Sequence, residues 1–312
     1  MRIGFVLASA AAVVIGGNAA HASYSFTTLI DPNDASGFTS GAGVNNAGNV
    51  VGTSHDASAV PHGFTLTGGS YAPVNFPGSA STNLGGIGNG GQVAGYFDDG
   101  LGGTHGFTLI GGTFSAVDVP GAASTFASGI NASGTVVGYS FDGGGASHGF
   151  TAIGGTFSSF DAPGAVSSTL GLGINDGGEV VGSFTDNTTT HGFSKIGASY
   201  TTIDDPLGIS TTATGVDSAG DVVGYFVDGG GLTHGFLDIA GSFTTIDDPD
   251  ALALTQVFGI NDQGQLVGTF VDGNGNTRGF LATPAPEPAT LALLSAPMFG
   301  LGVAYRRRKR SR

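Results

Sequence analysis

Cysteine and tryptophan are both missing from this chain, and only 10% of its 312 residues are charged. Without cysteine there is neither a disulfide framework nor a thiolate metal site, so the compartment has to be read from the chain ends. Basic residues are scarcest where they would matter most for binding nucleic acid. Six of the nine (Arg306, Arg307, Arg308, Lys309, Arg310 and Arg312) crowd into the last seven residues. Between Ser23 and Ala285 only Lys195 and Arg278 stand against 22 acids, a formal charge of −20. Such a surface repels phosphate backbones and anionic membranes, which excludes nucleic acid as a partner of the middle of the chain. It favours solubility and loose association with divalent cations.

Glycine is what the chain has in excess, with 59 residues. They do not recur every third position, so this is not a collagen, and at 40% hydrophobic the chain can still bury a core. A turn-rich all-β protein fits this composition.

The two ends read as addresses. Met1-Arg2 precedes an apolar run from Ile3 to Gly16 and then Ala20-His21-Ala22. A short positive region, a short apolar stretch and small residues flanking a cut site predict a signal peptide over 1–22. It is handled by the Sec translocon and signal peptidase, with cleavage between Ala22 and Ser23. At the other end, Pro286-Glu287-Pro288 leads into the uncharged stretch 289–305 and the Arg-rich tail 306–312. Seventeen residues at about 1.5 Å each span roughly 26 Å, enough for one transmembrane helix across a thin bilayer, with the basic tail left in the cytoplasm.

Proline-glutamate-proline, apolar span and basic tip, in this order at the very end, resemble the PEP-CTERM sorting signal of Gram-negative bacteria. The resemblance implies recognition by an exosortase acting near Pro286, Glu287 and Pro288. It also implies a precursor anchored in the inner membrane, and then residence at the cell surface or in an exopolysaccharide or biofilm matrix.

Between the ends, one module recurs. His-Gly-Phe begins at His62, His105, His148, His191 and His234, and a sixth copy reads Arg278-Gly279-Phe280; the spacings are 43, 43, 43, 43 and 44 residues. An apolar pair followed by glycine ends at Gly52, Gly95, Gly138, Gly182, Gly224 and Gly268. Within a module the runs read as four short strands cut by Asp-Gly, Gly-Gly and Asn-Gly turns. A period of about 43 residues with four antiparallel strands is the size of a β-propeller blade. The expectation is therefore a six-bladed β-propeller over 23–283. The opening strand, Ser25 to Ile30, belongs to the end of a module and the chain stops after the third strand of the last, so a terminal strand swap closes the ring. No residues remain for a seventh blade. The tripeptide, together with Gly129-Ile130-Asn131, Gly173-Ile174-Asn175 and Gly259-Ile260-Asn261, resembles the extracellular HAF-repeat family, with glycine where that family has alanine. This resemblance implies an exported repeat protein and little chemistry.

The repeated histidines read as structural, each imidazole tying a strand or turn to the next, with a zinc ring as the competing reading. Asp118, Asp161, Asp204 and Asp247, with Asn75 in another module, sit two residues before a proline and read as strand terminators. Asp272-Gly273-Asn274-Gly275-Asn276 is a partial match to a calcium loop that lacks the sixth-position glycine and the closing glutamate. No other cofactor is indicated. His55 and Glu179 are the most singular polar side chains, and they fall in different modules. The functional expectation is a non-catalytic surface or matrix protein that binds exopolysaccharide or another surface protein. The alternative is a secreted polysaccharide hydrolase or lyase, which needs a singular pair of carboxylates.

Overall fold

The computed structural model describes residues 23–285, which contain 24 β-strands and no helix. The expected signal peptide with Ala22, the Pro286-Glu287-Pro288 motif, the apolar stretch 289–305 and the basic tail all lie outside the described residues.

The chain opens with β1 (Tyr24–Leu29), one residue earlier than expected at each end. Five complete modules follow: β2–β5 (Thr39–Val44, Val50–His55, Pro61–Thr67, Ser70–Val74), β6–β9 (Ser81–Ile87, Val93–Asp98, Thr104–Ile110, Thr113–Val117), β10–β13 (Ser124–Ile130, Val136–Phe141, Ser147–Ile153, Thr156–Phe160), β14–β17 (Ser168–Ile174, Val180–Thr185, Thr190–Ile196, Ser199–Ile203) and β18–β21 (Gly208–Val216, Val222–Asp228, Thr233–Ile239, Ser242–Ile246). The last three strands are β22–β24 (Thr255–Ile260, Leu266–Val271, Thr277–Pro284). Strand β1 pairs with β24 from Tyr24↔Pro284 to Leu29↔Gly279, so the first strand completes the last sheet.

The sheet count departs from six separate blades. Four sheets have four strands, and one has eight, because the ladders β10–β13 and β14–β17 meet at a single parallel bridge between Ser147 and Ser168. There the segment entering one module runs beside the third strand of the module before. Ser147 N–H reaches the Ser167 carbonyl at 3.1 Å, and the Ser147 and Ser168 hydroxyls are 2.9 Å apart. The same crossing at Thr233↔Leu254 and Phe38↔Thr277 stays an isolated bridge.

The sequence motifs explain how the modules pack. In every ladder the glycine of the apolar-apolar-glycine motif faces the phenylalanine of the tripeptide, as in Gly52↔Phe64 and Gly138↔Phe150. These rings are buried, and a Cβ on Gly138 would stand 2.8 Å from Phe150 Cζ. Burying each ring contributes about 2–3 kcal/mol. The tripeptide's own glycine makes room for the neighbouring module: a Cβ on Gly63 would lie 2.5 Å from the Val74 carbonyl and 2.7 Å from Leu84 of the next sheet. This close approach leaves no room for a side chain at Gly63.

At the axis, Gly43, Gly86, Gly129, Gly173, Gly215 and Gly259 form a closed circuit. A Cβ built on each would fall 3.0–3.5 Å from the Cα of the following one, and Gly259 leads back to Gly43 at 3.2 Å. Six first strands thus surround one axis as a propeller-like ring.

Candidate ligand-binding face

Alternating strand directions give the ring two unlike faces. The turns after the first strand of every module gather at one end of the axis, around a cavity of about 60 Å³ lined by Asn46, Asn89, Asn131, Asp176 and Asp262 among others. Asparagine laces this end shut. Asn45 Oδ1 accepts the Ala47 and Asn49 N–H groups of its own turn, while the side-chain amide points to Gly88 O of the next module at 3.4 Å. Asn131 donates to Asn175 O at 3.1 Å, Asn175 to Asp217 O at 2.8 Å, and Asn261 to Asn45 O at 2.9 Å. Above them, Asp176 accepts from Ala132 N–H and the Asn89 amide, and Asp262 from Ser218 N–H and the Asn46 amide. Burial opposes ionisation of Asp262, but these donors prevail and hold its carboxyl below the usual range. The body's two ends leave from this face, where Ala285 N–H meets Ser23 O at 2.6 Å.

The opposite face carries the loops after the second and fourth strands. Here each repeated histidine is bracketed. His148 Nδ1 lies 2.8 Å from Asp161 and Nε2 3.6 Å from Asp142; His234 lies 2.8 Å from Asp247 and 3.5 Å from Asp228. His191 meets Asp204 at 3.0 Å and Asp186 at 3.4 Å, and His105 meets Asp118 at 3.1 Å and Asp99 at 3.6 Å. His62 has Asn75 at 3.2 Å and Asp56 at 3.4 Å. The loop carboxylates do two jobs. Asp142 Oδ1 accepts Gly144 and Ala146 N–H and closes the turn, which leaves Oδ2 for the imidazole. Those N–H donors, Ala146 foremost, hold Asp142 below its ordinary range. The hydrogen bond that His148 donates to Asp161 raises His148, whereas for His234 burial pulls downward and the carboxylates Asp247 and Asp228 outweigh it.

The two nitrogens of His105, His148, His191 and His234 thus face two different carboxylates of their own module, and those of His62 a carboxylate and an amide, so each ring is engaged within its own module. Arg278 replaces histidine in the last module, with Nε 3.3 Å from Asp272 and Nη1 3.2 Å from Asp34. Asp272, the first position of the partial calcium loop, spends Oδ1 on Asn274 and Asn276 N–H and Oδ2 on the Asn276 amide and Arg278; it is held down to about 2, chiefly by the Asn276 N–H. In the sequence the histidines and the pre-proline aspartates belong to different motifs. Their constant spacing of 13 residues was the available signal that they pair.

His55 and Glu179 do not meet. His55 stacks on Phe38 with centroids 3.9 Å apart, and burial lowers its pKa. Glu179, three modules on, accepts the Ser194 hydroxyl.

Fold and face together define a class: an all-β, propeller-like ring closed by its own first strand, with one laced face and one acidic loop face. No family model matches the chain, and no curated protein matches it. Its likeness is to solved structures. An arginine-to-alanine mutant of AofleA from Arthrobotrys oligospora shares 13% identity with a TM-score of 0.51, covering 82% of this chain and 86% of that one. SapL1 lectin in complex with alpha methyl fucoside shares 12% with a TM-score of 0.50, covering 75% and 88%. A mutant of Aleuria aurantia lectin in complex with Fucα1-6GlcNAc shares 12% with a TM-score of 0.49, covering 79% and 95%. At these identities the likeness is one of fold.

Proposed function

We propose that this is an exported, non-catalytic, six-bladed propeller that binds polysaccharide through its acidic loop face. The observation that carries the reading is the repetition itself: the same His–Asp bracket recurs in module after module, and the loop carboxylate of each bracket also closes its own turn. Repeated shallow polar sites suit multivalent attachment to a repeating polymer, in which weak contacts add through effective concentration. The solved structure of SapL1 lectin with alpha methyl fucoside supports a sugar as the ligand class for such a ring. The enzyme alternative calls for two unlike carboxylates on one substrate, and the singular residues His55 and Glu179 stand in separate sheets.

For localisation, the signal peptide, the PEP-CTERM-like motif and the basic tail support export by the Sec translocon and processing by an exosortase, ending at the cell surface or in its matrix. Glycan-array binding by the purified chain, with no reducing ends released from the bound polymers, is the expected result. Sugar release, or a silent array, overturns the reading. Fractionation of a tagged chain lacking Pro286, Glu287 and Pro288 tests the sorting step, with retention at the inner membrane expected.

A further inference from the structure

The modules are not equivalent at one position. The residue after the motif glycine is Thr53, Ser183 or Thr269 in three modules but Tyr96, Tyr139 and Tyr225 in the others. These tyrosines pack with aromatic residues of the innermost strands on the loop-face side of the glycine circuit. Phe126 stacks on Tyr139 with centroids 4.8 Å apart and takes Tyr96 edge-on at 4.9 Å; Phe141 stands edge-on to both Phe126 and Tyr139 at 5.9 Å, and Tyr225 lies 6.3 Å from Phe258. All these rings are only partly buried. None of the three hydroxyls has a hydrogen-bond partner among the described residues, unlike the asparagines that close the other end of the axis. Burial and then the Tyr96 and Tyr225 hydroxyls push Tyr139 up to about 12. Burial, and then the Asp98 charge, raise Tyr96 above its ordinary value.

We propose that this axial aromatic cluster is a subsite for a protonated amino-sugar residue of a polysaccharide, a specificity that rests on the polysaccharide-binding reading above. Three features select that ligand. Stacked rings offer flat faces for the C–H side of a pyranose and attract a cation. Unpaired phenolic hydroxyls can donate to and accept from sugar hydroxyls. The surrounding loop face carries Asp56, Asp99, Asp142 and their equivalents against Arg278 as its one arginine, which repels uronic acids and sulfated sugars and draws an ammonium group. Both described ends of the body leave from the opposite face.

The test uses the full chain with three probes: a β-1,4-linked glucosamine hexamer, its N-acetylated counterpart and cellohexaose. With no tryptophan and seven tyrosines, tyrosine emission reports occupancy directly, and calorimetry supplies the affinity. The glucosamine hexamer is expected to bind at least tenfold more tightly than either neutral oligomer and to weaken as salt rises. The triple variant Tyr96→Phe/Tyr139→Phe/Tyr225→Phe keeps the rings, and an unchanged melting temperature certifies its fold; it should lose at least tenfold in affinity. Tyr200→Phe, on an outer strand, should lose nothing. Equal binding of the triple variant, or of the N-acetylated hexamer, overturns the subsite. Array binding confined to neutral glycans overturns the amino-sugar specificity alone, whereas an array on which no glycan binds removes the underlying function as well.

Discussion

The side-chain amide of Asn261 donates to the main-chain carbonyl of Asn45 at 2.9 Å across a sequence separation of 216 residues. That bond fastens the last module to the first beside the axis, while Asn261 Oδ1 holds Gln263 and Gln265 N–H in its own turn. Asn261→Ala strips both functions and should cost about 1–3 kcal/mol. Asn261→Asp keeps the turn acceptor, as Asp217 does naturally in the fifth module, and should cost less. Urea melts of the two variants separate turn from seam; equal losses would assign the whole effect to the seam.

Substitution at Gly138 probes the pairing between motifs. A Cβ there enters the Phe126 carbonyl and stands 2.8 Å from the Phe150 ring. Gly138→Ala is expected to destabilise by about 3 kcal/mol, and Phe150→Leu should not rescue it, because the backbone clash with Phe126 remains. Gly143, in a loop with nothing within 4 Å, is the contrast: Gly143→Ala should change stability by less than about 0.5 kcal/mol. Thermal melts of the three variants decide whether the glycines serve packing or merely turns.

The repeat period, four strands to a module and closure by the first strand were all legible, because the tripeptide and the apolar-apolar-glycine motif recur in phase and the repeats open and close on different strands of the module. The innermost strands were harder to see in full. Ser168–Ile174 reads Ser-Thr-Leu-Gly-Leu-Gly-Ile, where only the Gly173-Ile174-Asn175 end announced itself, since glycine is a poor strand former except where backbones crowd together as they do at this axis. The His–Asp brackets were written in a fixed spacing that propensity reasoning does not weigh. The fusion of two ladders through Ser147 and Ser168 had no signal, because one parallel bridge depends on how neighbouring loops settle. Nor could the axial tyrosines be recognised as a cluster: they belong to different modules and only the closed ring brings them together.

Ala240 occupies the left-handed region at φ 51°, at the turn position held by Gly68, Gly111, Gly154 and Gly197 in other modules, where φ is 55–58°. A Cβ in that conformation meets its own carbonyl, a strain glycine does not carry. Ala240→Gly should therefore stabilise by about 0.5–1 kcal/mol despite the added freedom of the unfolded chain. A fall in melting temperature would show that the β20–β21 turn relaxes by another route.

Asp248 is buried at 4% exposure, and its Oδ2 has no hydrogen-bond partner, while Oδ1 accepts Asp250 N–H at 2.9 Å. Its equivalent after β1, Asp31, has the Ser54 hydroxyl 2.7 Å from Oδ2, a partner that Asp248 lacks. Burial pushes Asp248 from 3.8 up to about 6; the Asp250 N–H pulls downward and the Asp250 charge adds to the rise. The folded protein thus keeps a proton on this carboxyl between roughly pH 4 and 6 that the unfolded chain has released, so this group's contribution to stability falls as pH rises through that window. Asp248→Asn keeps the acceptor for Asp250 N–H and removes the titration. The difference in stability between the native chain and the variant, measured by urea denaturation at pH 4, 5, 6 and 7, should shift in the variant's favour as pH increases and level off above pH 7. A difference independent of pH would mean that Oδ2 is solvated or paired in solution.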